Sequence, residues 1–237
     1  MRKLQHAVAS AAVAGLLSVA ASMAHATVIL YNLTTSTAAQ TTYFNNGSSL
    51  ISSTTVLGTV SIDDHGTTGA VDFSVRLLGT ATTSRQLAFF TDNGNGHVAF
   101  GYNLASGSIT GGPIFAINSP GFTVGPANSA NSPFGNFTNT IACPVSGTAC
   151  GNGASNATAS VLDFKVTGSG LSTSSFGNNS TGYLFAADVF FNGLTGTIAA
   201  YKSGGTTLPT GQAPEPASLA LLGLGLLAFA ARRRQVR

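Results

Sequence analysis

The chain has 237 residues, only 7% of them charged, and a formal net charge of +3. That excess sits at the two ends, in Arg2, Lys3, Arg232, Arg233, Arg234 and Arg237; between 27 and 213 the bases Arg76, Arg85, Lys165 and Lys202 are set against Asp63, Asp64, Asp72, Asp92, Asp163 and Asp188, four against six, a balance of −2. Nucleic-acid binding is excluded, because a phosphate footprint needs clustered Lys and Arg, and so is charge-driven disorder, because hydrophobic residues make up 43% of the chain.

The N-terminus reads as an export signal. A basic start, Met1-Arg2-Lys3, precedes an apolar run from Ala7 to Ala21 and the small-x-small triplet Ala24-His25-Ala26. Residues 1–26 are therefore expected to be a signal peptide cut by signal peptidase after Ala26, with an uncleaved anchor as the alternative.

From Thr27 onward the pattern is that of strands. Residues 54–62 alternate loosely, and 70–77 alternate strictly, with Val71, Phe73, Val75 and Leu77 on one face and Asp72, Ser74 and Arg76 on the other. His97 to Leu104 alternates loosely again, and Leu162-Asp163-Phe164-Lys165-Val166 repeats the strict pattern. Tyr183 to Phe191 is a denser apolar run, as for a central strand covered on both sides, and Thr195 to Tyr201 returns beside it across Asn192-Gly193. Turn residues separate the runs at Asp64-His65-Gly66, Asp92 to Gly96, Asn118 to Gly121 and Gly177 to Asn179. No charged stretch with helical period occurs before Ala213. The expected fold is all-β: one β-sandwich domain, jelly-roll-like, over 27–201, followed by a linker at 202–213.

Candidate chemistry in this body is sparse. Asp92, Asn93 and Asn95, interleaved with glycines, are a weak candidate for Ca²⁺, but a hairpin turn needs the same residues and the remaining ligands of a calcium loop are missing. Apolar periodicity nearly vanishes from Ile117 to Asn156, which reads as a long functional or mobile loop. Within it Cys143 and Cys150 are expected to form a disulfide in an oxidising compartment, free thiols being the alternative; with no His or carboxylate between Gly121 and Leu162, a metal site lacks ligands. Neither a Gly-x-Ser-x-Gly elbow nor a His-Glu-x-x-His motif occurs. No enzyme activity and no cofactor are expected. The body has no Trp, and Tyr31, Tyr43, Tyr102, Phe134 and Phe137 are its candidates for exposed, sugar-stacking rings.

The last residues carry the most specific pattern: Pro214-Glu215-Pro216, an uncharged apolar run from Ala217 to Ala231, then Arg232-Arg233-Arg234. As a helix that run reaches roughly 22 Å, short of a ~30 Å hydrocarbon core, so it suits temporary rather than permanent spanning. The arginines hold its end on the cytoplasmic side and leave Pro-Glu-Pro outside. From about Ala213 to Arg237 the sequence resembles the PEP-CTERM sorting signal of Gram-negative bacteria. The resemblance implies recognition of the Pro-Glu-Pro region (domain 214–237) by exosortase, an inner-membrane intermediate, and then the cell surface, outer membrane or exterior as destination. It also implies, by likeness to such proteins as a group, a non-catalytic surface or matrix role associated with exopolysaccharide and biofilm. A secreted carbohydrate-binding or Asp-based hydrolytic domain is the alternative.

Overall fold

The computed structural model describes residues 28–35, 52–78, 87–90, 98–105, 110–143, 159–191, 194–201 and 206–208. Among them the chain is all-β, as expected, with one turn of 3₁₀ helix at Thr173–Ser175 and no α-helix. The strands in chain order are β1 (Val28–Leu33), β2 (Gly58–Asp63), β3 (Ala70–Leu77), β4 (Ala88–Phe89), β5 (Phe100–Tyr102), β6 (Thr110–Ile117), β7 (Thr123–Val124), β8 (Ser129–Ala130), β9 (Asn136–Phe137), β10 (Asn139–Ala142), β11 (Val161–Ser169), β12 (Tyr183–Phe191), β13 (Leu194–Tyr201) and β14 (Thr206–Leu208).

They form two larger antiparallel sheets and a small β8-β9 ribbon. The first sheet runs β14-β1-β2-β3-β11-β6; the second runs β13-β12-β5-β10-β7, with β4 also on β12. All of this lies in the compact unit Ala26–Leu208. β14 pairs with β1, Val28 opposite Leu208, so the first sheet continues into the segment expected to be a linker. The turn at Asp64–Gly69 returns β3 beside β2, and β1-β2-β3 is a meander of successive strands. That order establishes two antiparallel sheets; it lends no support to the jelly-roll-like connectivity expected from the sequence.

Strict alternation explains the first sheet. In β3 the buried residues are Val71, Phe73, Val75 and Leu77, with the polar residues between them half-exposed; β2 and β11 repeat this with Val60 and Ile62, and with Leu162, Phe164 and Val166. Register places Ile62, Phe73 and Phe164 side by side across three strands. Each such side chain contributes about 1.5–3 kcal/mol by leaving water. The two sheets face each other across this layer. Phe73 stacks on Phe164 at 4.4 Å between ring centroids and meets Phe185 of the second sheet edge-on at 5.9 Å, while Tyr31 meets Phe185 edge-on at 5.2 Å.

The second sheet is buried on both sides along β12. β12 has Leu184, Phe185, Ala187 and Val189 in the shared core, while Tyr183 and Ala186 join Ala199, Phe134 and Phe137 in a second cluster. Phe134 and Phe137 come from the stretch expected to be a long loop. Its described part, 117–143, instead forms β7 to β10: β7 and β10 extend the second sheet, with Phe122 and Ile141 in the shared core, while Phe134 and Phe137 pack with Tyr183, Ala186 and Ala199 in the second cluster. The ring of Phe137 lies so close to Gly101 in β5 that a Cβ there would be 2.7 Å from its Cγ.

Candidate functional site

The outer face of the first sheet is made by the polar half of the alternation. Register aligns Asp63 with Asp72 and Asp72 with Lys165 in one row, and Ser61 with Ser74 and Ser74 with Asp163 in the next. Asn118, whose backbone N–H donates to the Asp163 carbonyl at 2.9 Å, extends the second row past the end of β6. Together with His65 these side chains line an open depression of about 380 Å³. Of the Asp, Lys, Arg and His residues among the described residues, the only ones outside this patch are Asp64 and Asp188, and both are buried.

Most of the charges are paired with one another. The Arg76 guanidinium donates to both oxygens of Asp163, at 2.6 and 3.0 Å, the bidentate geometry that suits guanidinium and carboxylate. Lys165 Nζ lies 3.3 Å from Asp72 Oδ1. His65 sits in the turn after β2 with φ of 51°, and its backbone N–H donates to Asp63 Oδ1 at 2.7 Å. Its ring bridges two carboxylates, Nε2 to Asp72 Oδ2 at 2.7 Å and Nδ1 to Asp63 Oδ2 at 3.1 Å. Only the imidazolium can donate from both nitrogens. The hydrogen bond to Asp72, helped by the charges of Asp63 and Asp72 and opposed by partial burial and Lys165, raises the His65 pKa above its ordinary value.

Asp63 and Asp64 part company at the strand end, as adjacent residues on a strand must. Asp63 faces the patch, whereas Asp64 turns inward: its Oδ2 accepts from the Thr173 N–H and hydroxyl at 3.1 and 3.0 Å, and its Oδ1 from the Gly66 N–H at 3.0 Å. It ties the turn after β2 to the 3₁₀ segment.

The aromatic candidates for sugar stacking are elsewhere. Tyr31, Tyr102, Phe134 and Phe137 are buried, the two tyrosines in the core between the sheets and the two phenylalanines against Tyr183, Ala186 and Ala199 of the second sheet; Tyr43 lies outside the described residues. Among the described residues the exposed ring is Tyr201, 43% accessible, tilted at 32° against Tyr183 with their hydroxyls 2.7 Å apart. Neither the patch nor Tyr201 was singled out from sequence. The charged half of the β3 alternation was visible, but that β2 and β11 flank it was not.

The other candidates fall on residues outside the described ones: Ala24 and Ala26, the Asp92, Asn93 and Asn95 turn, Cys150, Pro214-Glu215-Pro216 and Arg232 to Arg234. Cys143 is described and buried, its sulfur 3.3 Å from the Gly121 carbonyl oxygen. Among the described residues no three His, Cys, Asp or Glu are grouped to hold a metal ion, and no helix is long and apolar enough to cross a membrane.

No curated protein and no solved structure matches the chain. A family model matches at the tail: residues 212–234 carry the PEP-CTERM protein-sorting motif, which implies an exported protein sorted by exosortase.

Proposed function

We propose that this protein is a non-catalytic component of the cell surface or extracellular matrix, delivered by its tail and contacting polysaccharide through its β-domain. The observation that carries the reading is the sorting motif at 212–234. On this reading residues 1–26 are removed on export, the apolar run 217–231 holds a transient inner-membrane intermediate, and exosortase processing at Pro214-Glu215-Pro216 sends the domain to the outer membrane or the exterior. The association with exopolysaccharide and biofilm follows from likeness to proteins bearing such tails.

The exposed patch supports a non-catalytic role. A general base needs a nitrogen free to take a proton, and both ring nitrogens of His65 are occupied by carboxylates. Asp72 and Asp163 are likewise tied to Lys165 and Arg76, which disfavours the alternative of Asp-based hydrolysis. We propose also that Cys143 and Cys150, the two cysteines of the chain, form a disulfide in the oxidising compartment to which export would deliver them.

Replacing Pro214-Glu215-Pro216 by alanines tests the sorting route in the native host. Export continues, tail processing stops, and a longer precursor collects in the inner membrane. Changing Arg232, Arg233 and Arg234 to Gln releases or misorients the protein instead, because the charge opposing translocation is gone. Fractionation with mass spectrometry of the mature C-terminus reads both variants. Processing and localisation of the triple-alanine protein like wild type would sink the proposal.

A further inference from the structure

We propose that the outer face of the first sheet is a binding track for a neutral, hydroxyl-rich, linear polysaccharide, lying across the strands along the row Ser61, Ser74, Asp163 and Asn118. The inference rests on the reading that the domain contacts polysaccharide, and it names the site. Three observations carry it. The row is in register over β2, β3 and β11 and is continued by Asn118, so hydrogen-bonding groups recur at the interstrand spacing of about 4.8 Å, a pitch comparable to one pyranose unit of an extended chain. Ser61, Ser74 and Asn118 also keep their side-chain capacity for a ligand, since no hydrogen bond from these side chains occurs among the described residues, and they line the depression. Asp163 accepts from Arg76 through both oxygens, and each oxygen retains a lone pair for a sugar hydroxyl.

The third observation is charge. Asp63, Asp72 and Asp163 are set against Arg76, Lys165 and His65, so the face carries at most one uncompensated negative charge, offers little attraction to an anionic or cationic polymer and suits a neutral one. It offers a protein partner little as well: interface hot spots are fully desolvated aromatic or Arg anchors, whereas the only Arg on this face among the described residues is paired with Asp163, and its large apolar residues, Val28 and Leu30 on β1 and Val161 on β11, are separated by β2 and β3. Binding without an aromatic platform is modest and spread over several sugar units.

Affinity electrophoresis of the full processed protein decides the matter, with dextran, mannan and galactan as neutral polymers and alginate and chitosan as charged ones. Retardation by at least one neutral polymer is expected. Ser61→Ala/Ser74→Ala weakens it about tenfold, the loss of two hydrogen bonds, and Ser180→Ala, in the turn before β12, leaves it unchanged. Asn118→Ala, beyond the end of β6, gives an independent reading if the double variant fails to fold. Retardation that survives all track variants overturns the location and leaves the polysaccharide reading standing. Retardation only by alginate or chitosan overturns the recognition of neutral hydroxyls. No retardation by any polymer overturns both the track and the reading beneath it.

Discussion

The two outer faces of this domain began from the same pleat and ended differently. On the first sheet, the residues of β2, β3 and β11 pointing away from the core are mostly Ser, Thr, Asp, Arg and Lys, half-exposed, with the charges paired across strands. On the second, β12 is covered on its outward side as well, where Tyr183 and Ala186 pack with Phe134 and Phe137, both fully buried. Thr197 there finds its partner inside, its hydroxyl donating to the Ser132 carbonyl at 2.9 Å. A strand's period decides which residues share a face. Whether the outward face meets water depends on what another part of the chain lays over it.

That contrast breaks most visibly at Phe137. If the 117–143 segment forms a true second core, Phe137→Ala costs about 3–5 kcal/mol, whereas Ser74→Ala on the open face stays within about 0.5 kcal/mol. Urea denaturation of both variants measures the gap, and a loss under 1 kcal/mol for Phe137→Ala would mean that the segment only rests on the sheet. Gly101→Ala tests the same contact from below. The new methyl meets the Phe137 ring, and overpacking of this kind costs about 1–3 kcal/mol.

The open face should respond weakly and with salt. Arg76→Ala removes a bidentate pair whose partners are both about two-fifths exposed, so it costs roughly 0.2–1 kcal/mol, less at high ionic strength. Smallest of all is the His65 effect. Its pKa is raised in the folded state, first by the hydrogen bond to Asp72, so its contribution is fully present below the unfolded value of about 6.5 and is lost as pH rises through the raised folded value. NMR titration of His65 in wild type and Asp72→Asn checks the cause: the pKa falls in the variant. An unchanged pKa would place the origin elsewhere.

Much of this was legible in the sequence because it is local. The alternation in 70–77 matches β3 residue for residue and that in 162–166 falls within the longer β11, and the dense run 183–191 signalled a strand covered on both sides, as β12 is. The Pro-Glu-Pro, apolar and Arg sequence of the tail needs no fold to be read, and the match at 212–234 agrees with it. The cover over β12 could not be read, because Phe134 and Phe137 sit among Asn, Ser, Gly and Pro with no period to mark them; the Phe137 ring has room only because position 101, far earlier in the chain, is a glycine.

Sequence alone therefore determined the all-β class, the inward and outward halves of the first sheet, and the address on the tail, since each depends on the spacing of neighbouring residues. Tertiary structure alone decided that Ser61, Ser74, Asp163 and Asn118 stand in one row, that the stacking candidates Tyr102, Phe134 and Phe137 are core, and that Thr206–Leu208 closes the edge of the first sheet beside β1. The reason is strand pairing: partners up to about 180 residues apart are joined by register, and register is set by packing over the whole core.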